Sequence, residues 1–149
     1  MRVGEICNRT VVVAKRETVL TEAAHLMREH HVGSLVVVDA SAKGNVPAGI
    51  VTDRDIVVAV VAEGVDPRKI TVGDVMRPRL ITVGEEDSVF DALRLMRGRG
   101  IRRMPVLAGD GTLAGIVTID DVLEIVAEQL NDLVCAITTE QSRESHDRA

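Results

Sequence analysis

The sequence has almost no aromatic residues. Its 149 residues include one Phe, no Trp and no Tyr. A core must therefore be built from Val, Ile, Leu, Ala and Met. Sheets and grooves that stack RNA or single-strand bases on aromatic rings are disfavoured. Cysteine is scarce as well. Cys7 and Cys135 lie near opposite ends and form no CxxC pair, and no Cys and His cluster has zinc-ligand spacing. No apolar run reaches the roughly 18 residues of a transmembrane helix, and Met1 to Glu5 lacks a signal-peptide hydrophobic region. The formal net charge of −5 lacks the basic excess of a broad nucleic-acid binder. These absences set the expectation of a cytoplasmic protein with no nucleic-acid or membrane partner. Catalytic signatures are missing too. There is no HExxH, no GxSxG, no Walker loop and no Cys–His pairing, and Gly109-Asp110-Gly111 reads as a hairpin turn.

What is present is a repeat. At a shift of 69 residues, Val3-Gly4-Glu5-Ile6 meets Val72-Gly73-Asp74-Val75, and Leu26-Met27-Arg28 meets Leu95-Met96-Arg97. Three extra residues in the first copy then change the shift to 66. Ala48-Gly49-Ile50-Val51-Thr52 meets Ala114-Gly115-Ile116-Val117-Thr118, and Asp55 meets Asp121. The length difference falls between Ala40 and Asn45, opposite Gly109 to Gly111, in turn-rich sequence that tolerates insertion. The copies run from 3 to 64 and from 72 to 130. Asp66 to Lys69 joins them, and a polar tail covers 138–149.

Each copy has a βαββα-type layout. A short amphipathic segment (Val3 to Cys7, Val72 to Met76) precedes a short β run (Val11 to Val13, Leu80 to Thr82). Helical spacing follows, from a cap at Thr18 through Leu20, Ala23 and Met27, and from Asp87 or Ser88 through Val89, Ala92 and Met96. Two strands joined by a hairpin come next, Ser34 to Asp39 with Ala48 to Val51, and Arg103 to Leu107 with Leu113 to Val117. A second helix closes each copy, Asp53 to Glu63 and Asp120 to Asn131 or beyond. The unbroken apolar run Leu35-Val36-Val37-Val38 predicts a sheet covered on both faces. One copy cannot cover both. The expected fold is thus α/β (α+β): two motifs related by a pseudo-two-fold, sheets packed together and helices outside. Beyond Thr138 the tail is expected to be frayed.

Both second helices follow the same string, Gly49-Ile50-Val51-Thr52-Asp53-Arg54-Asp55 and Gly115-Ile116-Val117-Thr118-Ile119-Asp120-Asp121. Thr is a good N-cap and Asp favours a helix N-terminus, so the string has a purely structural explanation. Its recurrence at the end of an apolar strand in both copies adds a second one. Together with Val32-Gly33-Ser34-Leu35 and Ile101-Arg102-Arg103-Met104-Pro105-Val106, it resembles the cystathionine-β-synthase (CBS) domain family over residues 3 to about 130.

That resemblance implies a regulatory module, not an enzyme, with two clefts that take adenosine-containing ligands such as AMP, ADP, ATP, NAD(H) or S-adenosylmethionine. It implies an Asp at the ribose hydroxyls and a Thr near the phosphate. A carboxylate can accept from both hydroxyls of a cis-diol. Carried onto this chain, cleft A joins Thr52, Arg54 and Asp55 to Leu80, Ile101, Arg102 and Arg103. Cleft B joins Thr118 and Asp121 to Val11, Val32 and Gly33. Cleft A carries three guanidinium groups; cleft B has Asp120 in place of Arg54, and only His30 and His31 to add charge. Cleft A is expected to bind nucleotide more tightly. No metal and no resident cofactor are expected, the adenine nucleotide being a regulatory ligand. Two other readings stand beside this one. One is an interaction or oligomerisation module with empty clefts. The other is a metal-dependent phosphohydrolase using Asp53, Asp55, Asp120 and Asp121. The apolar excess at Ile56, Val57, Val58, Val60 and Val61 marks a dimer surface; the resemblance implies a homodimer, and an unidentified target protein is the other expected partner.

Overall fold

The computed structural model describes residues 1–148. The chain folds as the repeat predicts, into two three-stranded sheets with helices packed against them. In the first motif, β1 (Val13–Ala14) pairs in parallel with β2 (Ser34–Ser41), which pairs antiparallel with β3 (Gly44–Thr52). The second motif repeats this order with β4 (Val83–Gly84), β5 (Arg103–Leu107) and β6 (Leu113–Thr118). Leu35, Val36, Val37 and Val38 are all buried, so the apolar run on β2 is covered on both faces. β3 lies against β6, which brings the two sheets together.

The motif helices are α2 (Leu20–His30) and α5 (Val89–Arg99). Leu20, Ala23 and Met27 of α2, and Val89, Ala92 and Met96 of α5, are buried as their spacing predicts. The cap of α2 is Val19, not Thr18, whose Oγ1 instead accepts from the Lys15 N–H. Ser88 does cap α5, its Oγ accepting from the Phe90 N–H at 3.2 Å. β1 and β4 start later than expected: Val11, Val12, Leu80 and Ile81 precede the paired strands, although Val12 O already accepts from the Val36 N–H of β2 at 3.2 Å.

The closing helices differ from each other. α3 (Asp53–Ile56) passes into a π-helical stretch, Val57–Val61, where the expected helix was continuous. This stretch is Val-Val-Ala-Val-Val, and crowding of its β-branched side chains against the preceding turn weakens a regular helix. Val60 enters the core while Val57, Val58 and Val61 stay exposed. α6 (Ile119–Asp147) runs for 29 residues. The tail expected to fray beyond Thr138 is therefore helical as far as Asp147. Ala149 lies outside the described residues.

The short helices α1 (Val3–Ile6) and α4 (Val72–Val75) are exchanged between motifs. Val3, Ile6 and Cys7 pack into the core of the second motif with Val83, Met96, Met104 and Val117. Val72, Val75 and Met76 pack into the first with Leu20, Leu35, Val37 and Val51. Backbone bonds fix both crossings. Val3 and Gly4 donate to Asp87 O and Glu85 O, and Val72 and Gly73 donate to Thr18 O and Arg16 O. After each short helix the chain crosses the other motif's last strand. Asn8 and Ile116 exchange two hydrogen bonds of 2.9 Å, and Arg77 N donates to Ile50 O. These crossings explain the glycine in each Gly-Ile-Val-Thr string. A Cβ on Gly115 would sit 2.7 Å from Asn8 O, and one on Gly49 would sit 3.1 Å from Arg77 O.

Candidate ligand-binding clefts

Two cavities lie between the motifs. Each is bounded by the end of a closing strand, the start of a closing helix, and the extended segment that has crossed from the other motif. Cleft A, about 200 Å³, is lined by Ile50 and Thr52 from the first motif, and by Arg77, Arg79, Leu80, Ile81 and Gly100 to Arg103 from the second. Cleft B, about 220 Å³, is lined by Asn8, Thr10, Val11, Val12, Val32, Gly33, Ser34 and Val36, with Arg103, Ile116, Thr118 and Asp121 opposite. The structure thus brings Thr52 together with Leu80, Ile101, Arg102 and Arg103, and Thr118 and Asp121 together with Val11, Val32 and Gly33.

The Thr and Asp of each string hold one another in a capping box. Asp55 N–H donates to Thr52 Oγ1 at 3.1 Å, and Asp55 Oδ2 accepts from the Thr52 N–H at 2.9 Å. In the second copy Asp121 N–H donates to Thr118 Oγ1 at 3.2 Å. Asp121 Oδ2 accepts from the Thr118 N–H at 2.7 Å and from its hydroxyl at 2.9 Å. Each box meets two orphan donors of a helix start. The same box, Thr71 with Asp74, opens α4 away from the lining of either cleft. Capping alone therefore accounts for the Thr-x-x-Asp spacing, and the cleft beside it is a separate fact. Thr118→Ala is expected to lower stability by about 1 kcal/mol in denaturant unfolding, with Thr118→Ser close to wild type.

The two carboxylates are differently engaged. Asp55 Oδ1 receives the Arg77 guanidinium at 3.3 Å, and Asp55 lies behind that arginine, outside the cavity lining. Asp121 reaches its cavity directly, and Oδ1 accepts no hydrogen bond among the described residues. Arg54, expected in cleft A, lies outside its lining. Adjacent residues on a helix are about 100° apart, so a helix that turns Asp55 toward Arg77 directs Arg54 elsewhere. Arg77 and Arg79 supply the charge instead. Arg102 Nη2 stands 3.9 Å from Asp120 Oδ1, both well exposed. Arg103 belongs to both clefts: it borders cleft A, and its Nη1 donates to Ser34 Oγ of cleft B at 2.8 Å. Cleft B therefore has a guanidinium group that the sequence reading assigns to cleft A alone.

The repeat offered a signal for Arg77 and Arg79. The shift of 69 residues carries Arg77, Arg79, Arg102 and Arg103 onto Asn8, Thr10, Gly33 and Ser34. Arg103 lines both cavities, so cavities of similar volume differ by three arginines, Arg77, Arg79 and Arg102, against Asn8, Thr10 and Gly33. Beside cleft B, burial pushes the Cys7 thiol above its ordinary range. Among the described residues, no group of three or more His, Cys, Asp or Glu side chains is placed to hold a metal ion, and no helix is long and apolar enough to cross a membrane.

A mixed α/β fold of two such motifs, with paired clefts at the crossings, is that of a CBS domain pair. The chain belongs to the CBS domain family, which matches residues 3–62 and 72–128. It is 40% identical over 123 residues to an uncharacterized protein of Methanopyrus kandleri, covering 83% of this chain but only 61% of that protein. It is 34% identical over 124 residues to hypoxic response protein 1 of Mycobacterium tuberculosis, covering 83% of this chain and 84% of that one. The crystal structure of Hypoxic Response Protein I, with two coordinated zinc ions, superposes with a TM-score of 0.73 at 32% identity, over 83% of this chain and 98% of that one. The CBS domain pair of protein MJ0100, in complex with 5-methylthioadenosine and S-adenosyl-L-methionine, gives 0.74 at 26% identity, over 87% and 98%.

Proposed function

We propose that this CBS pair is a regulatory module, without catalytic activity of its own, that binds an adenosine-containing ligand between its motifs. Its action would pass to a target protein or a second copy of the chain, in the cytoplasm. The observation that carries this reading is the set of arginines around cleft A. Apolar walls from Ile50, Leu80, Ile81 and Ile101 offer a slot for a purine, and Arg77, Arg79 and Arg102 stand at its border. Guanidinium groups bind phosphate with fork geometry. A diphosphate or triphosphate such as ADP or ATP fits that combination better than a neutral nucleoside. Support by analogy comes from MJ0100, a CBS pair solved with two adenosyl compounds. Ligand that binds only the folded state stabilises it, by about 2.7 kcal/mol at a hundred times Kd. In thermal unfolding against AMP, ATP, NADH and S-adenosylmethionine, a shift ordered ATP above AMP is expected. No shift with any of the four would remove the reading and leave an interaction module with empty clefts.

A further inference from the structure

The two clefts meet at one pair of side chains. Arg103 begins β5 and Ser34 begins β2, and the shift of 69 residues makes them the same position of the repeat. Each pairs within its own sheet with the threonine that caps its motif's closing helix, Ser34 with Thr52 and Arg103 with Thr118. The two strand starts therefore come together between the cavities, where Arg103 Nη1 donates to Ser34 Oγ at 2.8 Å. Their reach is unequal. Arg103 lines both clefts, whereas Ser34 lines cleft B and not cleft A.

The guanidinium group of Arg103 is weakly held for its position. It is half-buried, while Arg77, Arg79 and Arg102 are exposed. Arg77 stands against Asp55, and Arg102 stands near Asp120. Among the described residues, no ion pair includes Arg103. A single neutral hydroxyl, that of Ser34, accepts from its side chain. A planar fork of donors matches a phosphate far better than one hydroxyl does. A partly desolvated cation without a counter-charge also gains more from an anion than an exposed one does. A phosphate in cleft A would therefore compete with Ser34 for this arginine.

We propose that Arg103 is an anion ligand shared by the two clefts, and that phosphate bound in cleft A withdraws it from Ser34. The inference rests on the nucleotide binding proposed above and adds a coupling between the two sites. Cleft B then loses its one lining guanidinium and keeps Asn8, Thr10, Ser34, Thr118 and Asp121 as polar side chains. A filled cleft A thus turns cleft B from a site for an anion into a site for an uncharged ligand. Linkage is reciprocal. An anion that holds Arg103 in cleft B weakens phosphate binding in cleft A by the same factor.

The test is a double-mutant cycle on ATP affinity at the tighter site, read by titration calorimetry on the full chain. Ser34→Ala removes the competitor without altering the lining of cleft A, and is expected to tighten ATP binding by about three-fold or more. Arg103→Met keeps the apolar stem and drops the charge, and is expected to weaken binding by about ten-fold. In the Arg103→Met background, Ser34→Ala is expected to change nothing, because both act through one side chain. Unchanged affinity in Ser34→Ala alone would overturn the proposal, whether or not Arg103→Met folds. An effect of Ser34→Ala that persists without Arg103 would overturn it too. So would weaker binding in Ser34→Ala, which would place the phosphate in cleft B. These outcomes sink the coupling and leave nucleotide binding standing. An unsubstituted chain that does not bind ATP at all sinks both.

Discussion

Gly115→Ala is expected to destabilise the protein by about 2–3 kcal/mol, an overpacking cost. Thermal unfolding should shift down by roughly 5–10 °C for a chain of this size. The added Cβ would stand 2.7 Å from Asn8 O and 2.8 Å from Cys7 Sγ. The first is backbone, held by two 2.9 Å hydrogen bonds between Asn8 and Ile116. Relief requires pulling the crossing segment off β6, which loosens α1 from the second core. Gly98→Ala is the matched control. Gly98 sits in α5, where a Cβ meets nothing within 4 Å, so alanine should gain up to about 1 kcal/mol there from helix propensity alone. If Gly115→Ala proves as stable as wild type, the close crossing at β6 is wrong.

Loss of Asp55 is expected to weaken nucleotide binding more than loss of Asp121. Hydrogen bonds to a charged group contribute about 1.5–3 kcal/mol, so Asp55→Ala should reduce affinity at the tighter site by ten-fold or more in ATP titration calorimetry. Asp121→Ala should leave that site within about two-fold, because residues in contact couple and distant ones do not. Both variants lose the same capping box, so its cost is common to the two and the comparison isolates the cleft. The ranking follows charge. Cleft A has Arg77, Arg79 and Arg102 where cleft B has Asn8, Thr10 and Gly33. The Arg77–Asp55 pair opposes it in part, since a ribose must displace that guanidinium before Asp55 can accept from its hydroxyls. A released Arg77 is then free to meet a phosphate. A larger loss for Asp121→Ala would reverse the assignment of the tighter site.

Much of the architecture is legible in the sequence because the repeat constrains it twice. Arg103 to Leu107 is read as a strand with its observed limits, since its counterpart in the first copy, Ser34 onward, has a similar apolar run. The juxtaposition of Thr52 with Leu80, Ile101 and Arg102 is also anticipated, but by family likeness, since no local pattern links residues so far apart. What is hidden has physical causes. Arg77, before Pro78, reads only as the end of a short helix and the entry to a strand, which does not show that it lines cleft A. The exchange of α1 and α4 cannot be seen, because a repeat shows which segments correspond and not which core each one joins. The length of α6 is masked by its polar composition after Ile137. Thr138 and Thr139 there return their hydroxyls to Val134 O and Cys135 O, so these helix-averse residues satisfy themselves within the helix.

The exchanged helices also make the duplication irreversible. A gene encoding a repeat might be thought divisible at Asp66 to Lys69, giving two autonomous halves. The first half would retain α1, whose Val3 belongs to the other core, and would lack Val72, Val75 and Met76 from its own. Each fragment would thus expose one apolar plug and leave one socket empty. A single copy could meet that demand only by taking its plug from a second molecule. In this chain the trade is internal, and the strand crossings at Gly49 and Gly115 are where it is fastened.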